Sequence, residues 1–320
     1  MTLNEQTIDR ALALDVEGAR ETLARHGKSF SWASALFSRE VADRAAELYA
    51  FCRYVDDLAD ELDPDLAVPR LQAIATDLKY GRSPEPVVQN LTRMLEPGWI
   101  GMQAARALVE TLLADTGRVR IQSWDDLIRY SYGVAGTVGI MMCDVMRVDD
   151  RRALPFAVDL GIAMQLTNIA RDVVEDAQRD RIYLPAELFD EPITPVQIIS
   201  ADSSFRERLF EGIRSVLQKA DLYYRSADEG LRYLPRRCRL VIMTAARIYE
   251  AIGPKIIRSR YYYWQNRIYV GFFGKLFHTM RAISGLTVNP KLWHLGRPPV
   301  HQSELHRALH GLPGANSEGR

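Results

Sequence analysis

The chain has 320 residues, 47% of them hydrophobic and 26% charged, the balance of a folded globular protein with length for one large domain or two ordinary ones. Lys+Arg and Asp+Glu number 41 each, so no global charge points to nucleic acid, and the lack of any run of about 18 apolar residues argues against a membrane span. Cys52, Cys143 and Cys238 have neither metal-ligand nor redox spacing and read as reduced core thiols. The acid-bearing N-terminus lacks the apolar stretch of a signal peptide, so a cytoplasmic location is expected.

Taken in order, the chain shows helical periodicity and no convincing strand pattern or repeat. Residues 7–26 predict a helix ending at His26-Gly27, and Lys28 to Trp32 read as a loop or flap. A long helix follows over 39–62, closed by Asp63-Pro64, with shorter ones near 66–80 and 85–95. Residues 99–116, 124–147 and 151–178 predict three longer helices. Prolines 185, 192 and 195 punctuate short turns up to about 200. Two long helices, 203–232 and 236–265, complete a core in which no linker is visible. The expected domain is 1–285, with a C-terminal extension over 286–320 that reads as poorly ordered from about 300.

Two stretches carry chemistry. Gln165, Asn168, Asp172 and Asp176 are spaced by three, four and four residues, which places them on one helix face with neighbouring Cβ atoms about 5–6 Å apart. Leu166, Ile169, Val173 and Val174 cover the remaining sides. Carboxylates and amide oxygens in apolar company suit a hard cation such as Mg²⁺, and Arg179 and Arg181 follow at once. Tyr49, Arg53, Asp56 and Asp60 repeat the logic at spacings of four, three and four, with Asp57 and Glu61 beside them. Alone, either row could be a solvated acidic face. Two rows on buried helices, facing each other, would hold Mg²⁺ that bridges to a diphosphate and stabilises it as a leaving group.

These residues resemble the squalene/phytoene synthase family. HGKSF at 26–30, YAFCRYVDDLAD at 49–60, YSYGVAGTVG at 130–139 and NIARDVVEDAQRDRIYLP at 168–185 look like its motifs, in the family's order, within a similarity over about 20–280. YLPAELF and YYRSADEGLRYLP at 223–235 are most similar to the bacterial phytoene synthases within it. The resemblance implies an all-α, single-domain class I isoprenoid synthase bundle around a central hydrophobic cavity. It implies a Mg²⁺-dependent enzyme, with Mn²⁺ as a possible substitute, that joins two geranylgeranyl diphosphates head to head. The route runs through a cyclopropyl (prephytoene) diphosphate to phytoene and two diphosphates, the first committed step of carotenoid biosynthesis. A C30 synthase using farnesyl diphosphate is the alternative, and a non-catalytic assembly protein on the same fold the remote one. No NADPH requirement is expected.

Residue by residue, the resemblance assigns metal and diphosphate binding to Asp56, Asp60, Asn168, Asp172 and Asp176. It places Arg53, Arg171, Arg181 and Arg267, with Gln165, beside the diphosphates, and His26 and Ser29 in the flap. Tyr49, Tyr183 and Tyr249 match tyrosines at the reaction centre. Phe30, Ser34, Ala46, Val134, Ala135, Val138, Gly139 and Met164 would line the pocket. Gly136 and Gly139 in an apolar helix imply close helix packing, a thinned pocket wall, or both. Ala46 lies ten residues below Asp56, about 15 Å along a helix, and the C15-using relatives carry bulky aromatics at its position and at that of Ser34. Small residues at both places argue for a C20 substrate. Residues 258–281 are basic and aromatic, suited either to an anionic membrane surface on the inner face or to a core helix with a snorkelling edge.

Overall fold

A computed structural model describes residues 16–95, 100–260, 268–288 and 297–316. Residues 7–15 of the first expected helix, 261–265 of the last, and Arg267 lie outside the described residues. The all-α expectation holds. Fourteen α-helices are described, and the elements that position the site come from four stretches of the chain.

Helices α1 (Val16–His26) and α2 (Lys28–Ser34) flank Gly27. The expected flap is therefore helical. Ser31 N–H donates to the Gly27 carbonyl at 2.7 Å, and the Trp32 indole N–H donates to Thr279 Oγ1 at 3.0 Å, which fixes the segment from both ends. Helix α3 (Arg39–Glu61) buries Leu48, Phe51, Tyr54, Val55 and Leu58. It stops where Leu62 turns extended, and α4 (Pro64–Tyr80) begins at once, with Asp63 Oδ1 accepting the Asp65 N–H at 2.9 Å. Helices α5 (Pro86–Met94) and α6 (Gly101–Ala114) complete this half.

The expected 124–147 helix is three pieces. Helix α7 (Trp124–Ser131) starts on a Ser123–Asp126 capping box, a π-turn spans Tyr132–Gly136, and α8 (Thr137–Val145) resumes. The close-packing reading of the glycine motif applies here. A Cβ on Gly139 would lie 2.2 Å from the Ala157 carbonyl oxygen, and one on Gly161 would lie 2.2 Å from that of Ala135, so two backbones touch. Helix α9 (Leu154–Gln178) is the central element, buried on most sides and packed along α11 (Ser203–Gly230), with the short α10 (Pro195–Ile199) between them in sequence. It is long and apolar enough to cross a membrane by length and composition, yet 72% of its most apolar stretch is buried inside the protein. The expected 236–265 helix breaks at Ala251 into α12 (Arg236–Glu250) and α13 (Ile252–Ser259), and α14 (Phe272–Val288) packs on α12.

One small sheet was not expected. Strand β1 (Val119–Arg120) pairs in parallel with β2 (Arg181–Ile182), two residues each, too short to leave a pattern in the sequence. Asp180, at φ 57°, makes the turn out of α9 into β2, a left-handed conformation that aspartate tolerates.

The expected disorder from about residue 300 is corrected. Residues 303–309 form a 3₁₀ turn whose His306 and Leu309 are buried, with Ala315 buried beyond it. Tyr132 and Tyr223 hydroxyls donate to the carbonyls of Pro313 (2.7 Å) and Leu305 (2.8 Å). Beneath lies Asp159, fully buried, hydrogen-bonded with His301 Nε2 at 2.9 Å, His306 Nε2 at 2.7 Å and the Ser226 hydroxyl at 2.5 Å. Although burial works the other way, the two histidines hold its carboxyl below the ordinary value. A proline- and glycine-rich composition concealed a segment anchored by polar side chains.

Candidate functional site

Helices α2, α3, α8, α9 and α12 enclose a mainly apolar cavity of about 390 Å³. Phe30, Ser34, Val134, Ala135, Val138, Gly139 and Met164 line it as expected. Ala46 does not. It is fully buried, but the cavity face of α3 runs through Ala45, Tyr49, Cys52 and Asp56, at spacings of four, three and four, and Ala46 stands about 100° around the helix from Ala45. The wall residue at this level is Ala45, which is also small.

The charged residues gather at the mouth. Arg53, Asp56, Gln165 and Asn168 border the cavity, joined by Tyr49 and Tyr249. Arg53 Nε donates to Asp57 Oδ2 at 3.0 Å and stands 3.9 Å from Asp56 and 3.7 Å from Glu61. Arg171 forms a two-pronged bond with its neighbour Asp172, at 2.7 and 2.5 Å. The turn at Asp180 swings two arginines onto the first acidic row. Arg181 Nη1 donates to Asp60 Oδ1 at 2.5 Å and Arg179 Nη1 to Asp60 Oδ2 at 3.1 Å. Because Arg179 and Arg181 directly follow the second acidic row on α9, their bonds to Asp60 tie the end of that row to the first.

Those carboxylates remain under electrostatic load. Desolvation, then Asp60, pushes Asp56 up to about 7. Desolvation, then Asp172 and Glu175, pushes Asp176 up to about 8, and burial takes Asp57 to about 6. Asn168 Oδ1 is buried without a hydrogen-bond partner, while its amide nitrogen reaches only Gln165 Oε1 at 3.4 Å. Crowded carboxylates beside an orphaned amide oxygen are an all-oxygen donor set, and they fit a hard divalent cation.

The tyrosines divide into two groups. Tyr249 packs on Phe30 with ring centroids 5.4 Å apart, and burial pushes the Tyr49 hydroxyl up to about 12. Tyr183 is not at the cavity lining. Its hydroxyl donates to Asp115 Oδ2 at 2.9 Å, and Tyr130 stacks on it with ring centroids 4.7 Å apart. Tyr130 and Asp115 were missed. The first stands inside the 130–139 motif and could have been picked from it. The second lies 68 residues from Tyr183 in the chain and carries no local signal. His26 is exposed, close enough to Arg53 for that charge to add to burial in lowering its ring, and Ser29 sits in the first turn of α2 beside Phe30. Away from the mouth, Asp159, His301 and His306 bring a carboxylate and two imidazoles within 4.8 Å of one another, a second set of metal-capable donors already hydrogen-bonded among themselves.

The family model for squalene/phytoene synthase matches residues 23–273. A 15-cis-phytoene synthase of Enterobacter agglomerans is 38% identical over 258 residues, 75% of this chain and 85% of that protein. A phytoene synthase of Rhodobacter capsulatus is 34% identical over 311 residues, 92% of this chain and 91% of that protein. Among solved structures, a dehydrosqualene synthase in complex with ligand matches with a TM-score of 0.72 at 24% identity, over 89% of this chain and 99% of that one. A squalene synthase from Alicyclobacillus acidocaldarius matches with a TM-score of 0.64 at 24% identity, over 77% and 94%. At that identity the two structures speak for the fold alone.

Proposed function

The chain belongs to the squalene/phytoene synthase family, and on that premise we propose that it joins two geranylgeranyl diphosphates head to head to give phytoene. The observation that carries the reading is the mouth itself, where Asp56, Arg53, Gln165 and Asn168 border an apolar cavity and Arg179 and Arg181, at the end of the second acidic row, bond Asp60 of the first. Relatives named phytoene synthase at 34–38% identity support the C40 product over a C30 one. Small Ser34 and Ala45 on the cavity wall support the longer chain.

In this reading Asp56, Asp60, Asn168, Asp172 and Asp176 hold Mg²⁺ or Mn²⁺, which when bound supplies positive charge to a departing diphosphate. Arg53, Arg171 and Arg181 cradle the diphosphate oxygens, with Gln165, His26 and Ser29 beside them. The apolar wall keeps water from the allylic cation, and Tyr49 and Tyr249 with Phe30 offer it aromatic faces. Tyr49, with its hydroxyl pushed up to about 12, stays neutral and presents no anionic nucleophile at physiological pH. Asp115 holds Tyr183 in place behind Arg181. Incubation with geranylgeranyl diphosphate and a divalent metal should give a C40 hydrocarbon, whereas turnover of farnesyl diphosphate alone would overturn the substrate assignment.

The same reading places the chain at the periphery of a membrane, on the inner face, where a C40 hydrocarbon can leave. Its support is compositional. Residues 251–288 contain Lys255, Arg258, Arg260, Arg267, Lys275 and Arg281 and no acid.

A further inference from the structure

Helix α14 turns its apolar side outward. Phe273 is 83% exposed, Phe277 62%, Phe272 61%, Met280 56% and Leu276 44%. Residues 273, 276, 277 and 280 follow helical spacing and form one stripe. The opposite side is small and partly polar. Thr279 and Ala282 are buried, and Thr279 receives the Trp32 indole hydrogen bond while Trp32 meets Phe272 edge-on at 5.3 Å. A helix that anchors through threonine and alanine and leaves its phenylalanines in water presents an apolar patch that calls for a covering.

The charge beside the stripe is mainly basic. Arg258 and Arg281 are exposed, and both line a pocket that Phe277 of the stripe also borders. That pocket, of about 790 Å³ between α11, α13 and α14, is lined by Arg214, Lys255, Arg258, His278 and Arg281. His278 Nδ1 is buried there without a hydrogen-bond partner. The pocket's two acids are engaged, Asp221 with Arg225 and Glu250 with Arg247. A second copy of this chain is a poor occupant, because a two-fold contact would set this acid-free, basic segment against itself.

We propose that this face is where the chain docks on an anionic phospholipid bilayer. Phe273, Leu276, Phe277 and Met280 enter the acyl boundary, and the basic pocket takes the phosphate of a lipid headgroup. The inference rests on the peripheral-membrane reading above and adds the surface and the lipid charge. Trp32 ties α14 to α2, which lines the cavity, so the docked face adjoins the substrate chamber.

Co-sedimentation of the full chain with vesicles of phosphatidylcholine, with and without phosphatidylglycerol, tests this. Binding should favour the anionic vesicles and weaken with salt. The double variant Phe273→Glu, Phe277→Glu should lose about a hundredfold or more in partitioning while keeping its melting temperature. The variant Arg258→Glu, Arg281→Glu should lose the preference for phosphatidylglycerol and keep a residual apolar component. Wild-type protein that ignores both vesicle types would overturn the membrane reading itself. Wild-type binding that the phenylalanine variant leaves intact would overturn only this surface. Competition by inorganic phosphate with no vesicle binding would reassign the pocket to a free anion. A lipid-free dimer that the phenylalanine variant dissociates would reassign the stripe to self-association.

Discussion

Asp56 and Asp176 are half-buried at the cavity mouth, Asp159 is fully buried beneath the C-terminal segment, and the fold treats the two kinds in opposite ways. At the mouth, burial first and like charges second raise the carboxyls to about 7 and about 8. Beneath the tail, two imidazoles and a hydroxyl converge on one carboxylate, and its carboxyl falls below the ordinary range. A satisfied buried carboxylate is a structural joint. A crowded one is a place prepared for a cation or a cation-bridged anion.

Substitutions should separate the two kinds. Asp172→Ala should lower kcat/KM by about a thousandfold or more, roughly 4 kcal/mol of transition-state stabilisation, as read by product formation. Asp56→Asn and Asp176→Asn should also lose activity, while the melting temperature of the metal-free protein at pH 8 holds or rises. The sign follows from linkage. A carboxyl raised in the folded state opposes folding once the pH passes its unfolded value, so removing its charge relieves the folded state. Asp159→Ala should act in reverse, costing about 3–5 kcal/mol in denaturant unfolding and exposing residues 297–316 to proteolysis.

Smaller effects sharpen the contrast. Ala45→Phe, at the cavity wall, should reduce use of geranylgeranyl diphosphate relative to farnesyl diphosphate by about tenfold or more in competition assays, while Ala46→Phe should mainly lower stability. The pH dependence of tail docking is the finest test. Because the Asp159 carboxyl is held low, its contribution is fully present above its unfolded value of about 3.9 and is lost as pH falls through the folded value. Proteolytic release of the tail should therefore begin only below about pH 4, and Asp159→Asn should show it at neutral pH.

The helices and both acidic rows were legible because each rests on local periodicity, and burial of one helix face enforces it. Helical phase was legible only to about one residue in places. Ala46 and Ala45 are both small and adjacent, and only packing decides which faces the cavity. The π-turn, the two-residue strands and the left-handed Asp180 leave no periodic trace, although the last two set the chain from which Arg179 and Arg181 reach Asp60. Tail anchoring was illegible for another reason. Asp159 lies 142 residues from His301, and an isolated aspartate in an apolar helix does not announce its partners.

The central claim is that the mouth binds prenyl diphosphates over a chamber long enough for C20 chains. Incubating the purified chain with geranylgeranyl and farnesyl diphosphates in turn, with Mg²⁺, and identifying the hydrocarbon products tests it most directly. The account predicts a C40 phytoene from geranylgeranyl diphosphate. A C30 product from farnesyl diphosphate, with geranylgeranyl diphosphate left unused, would contradict it.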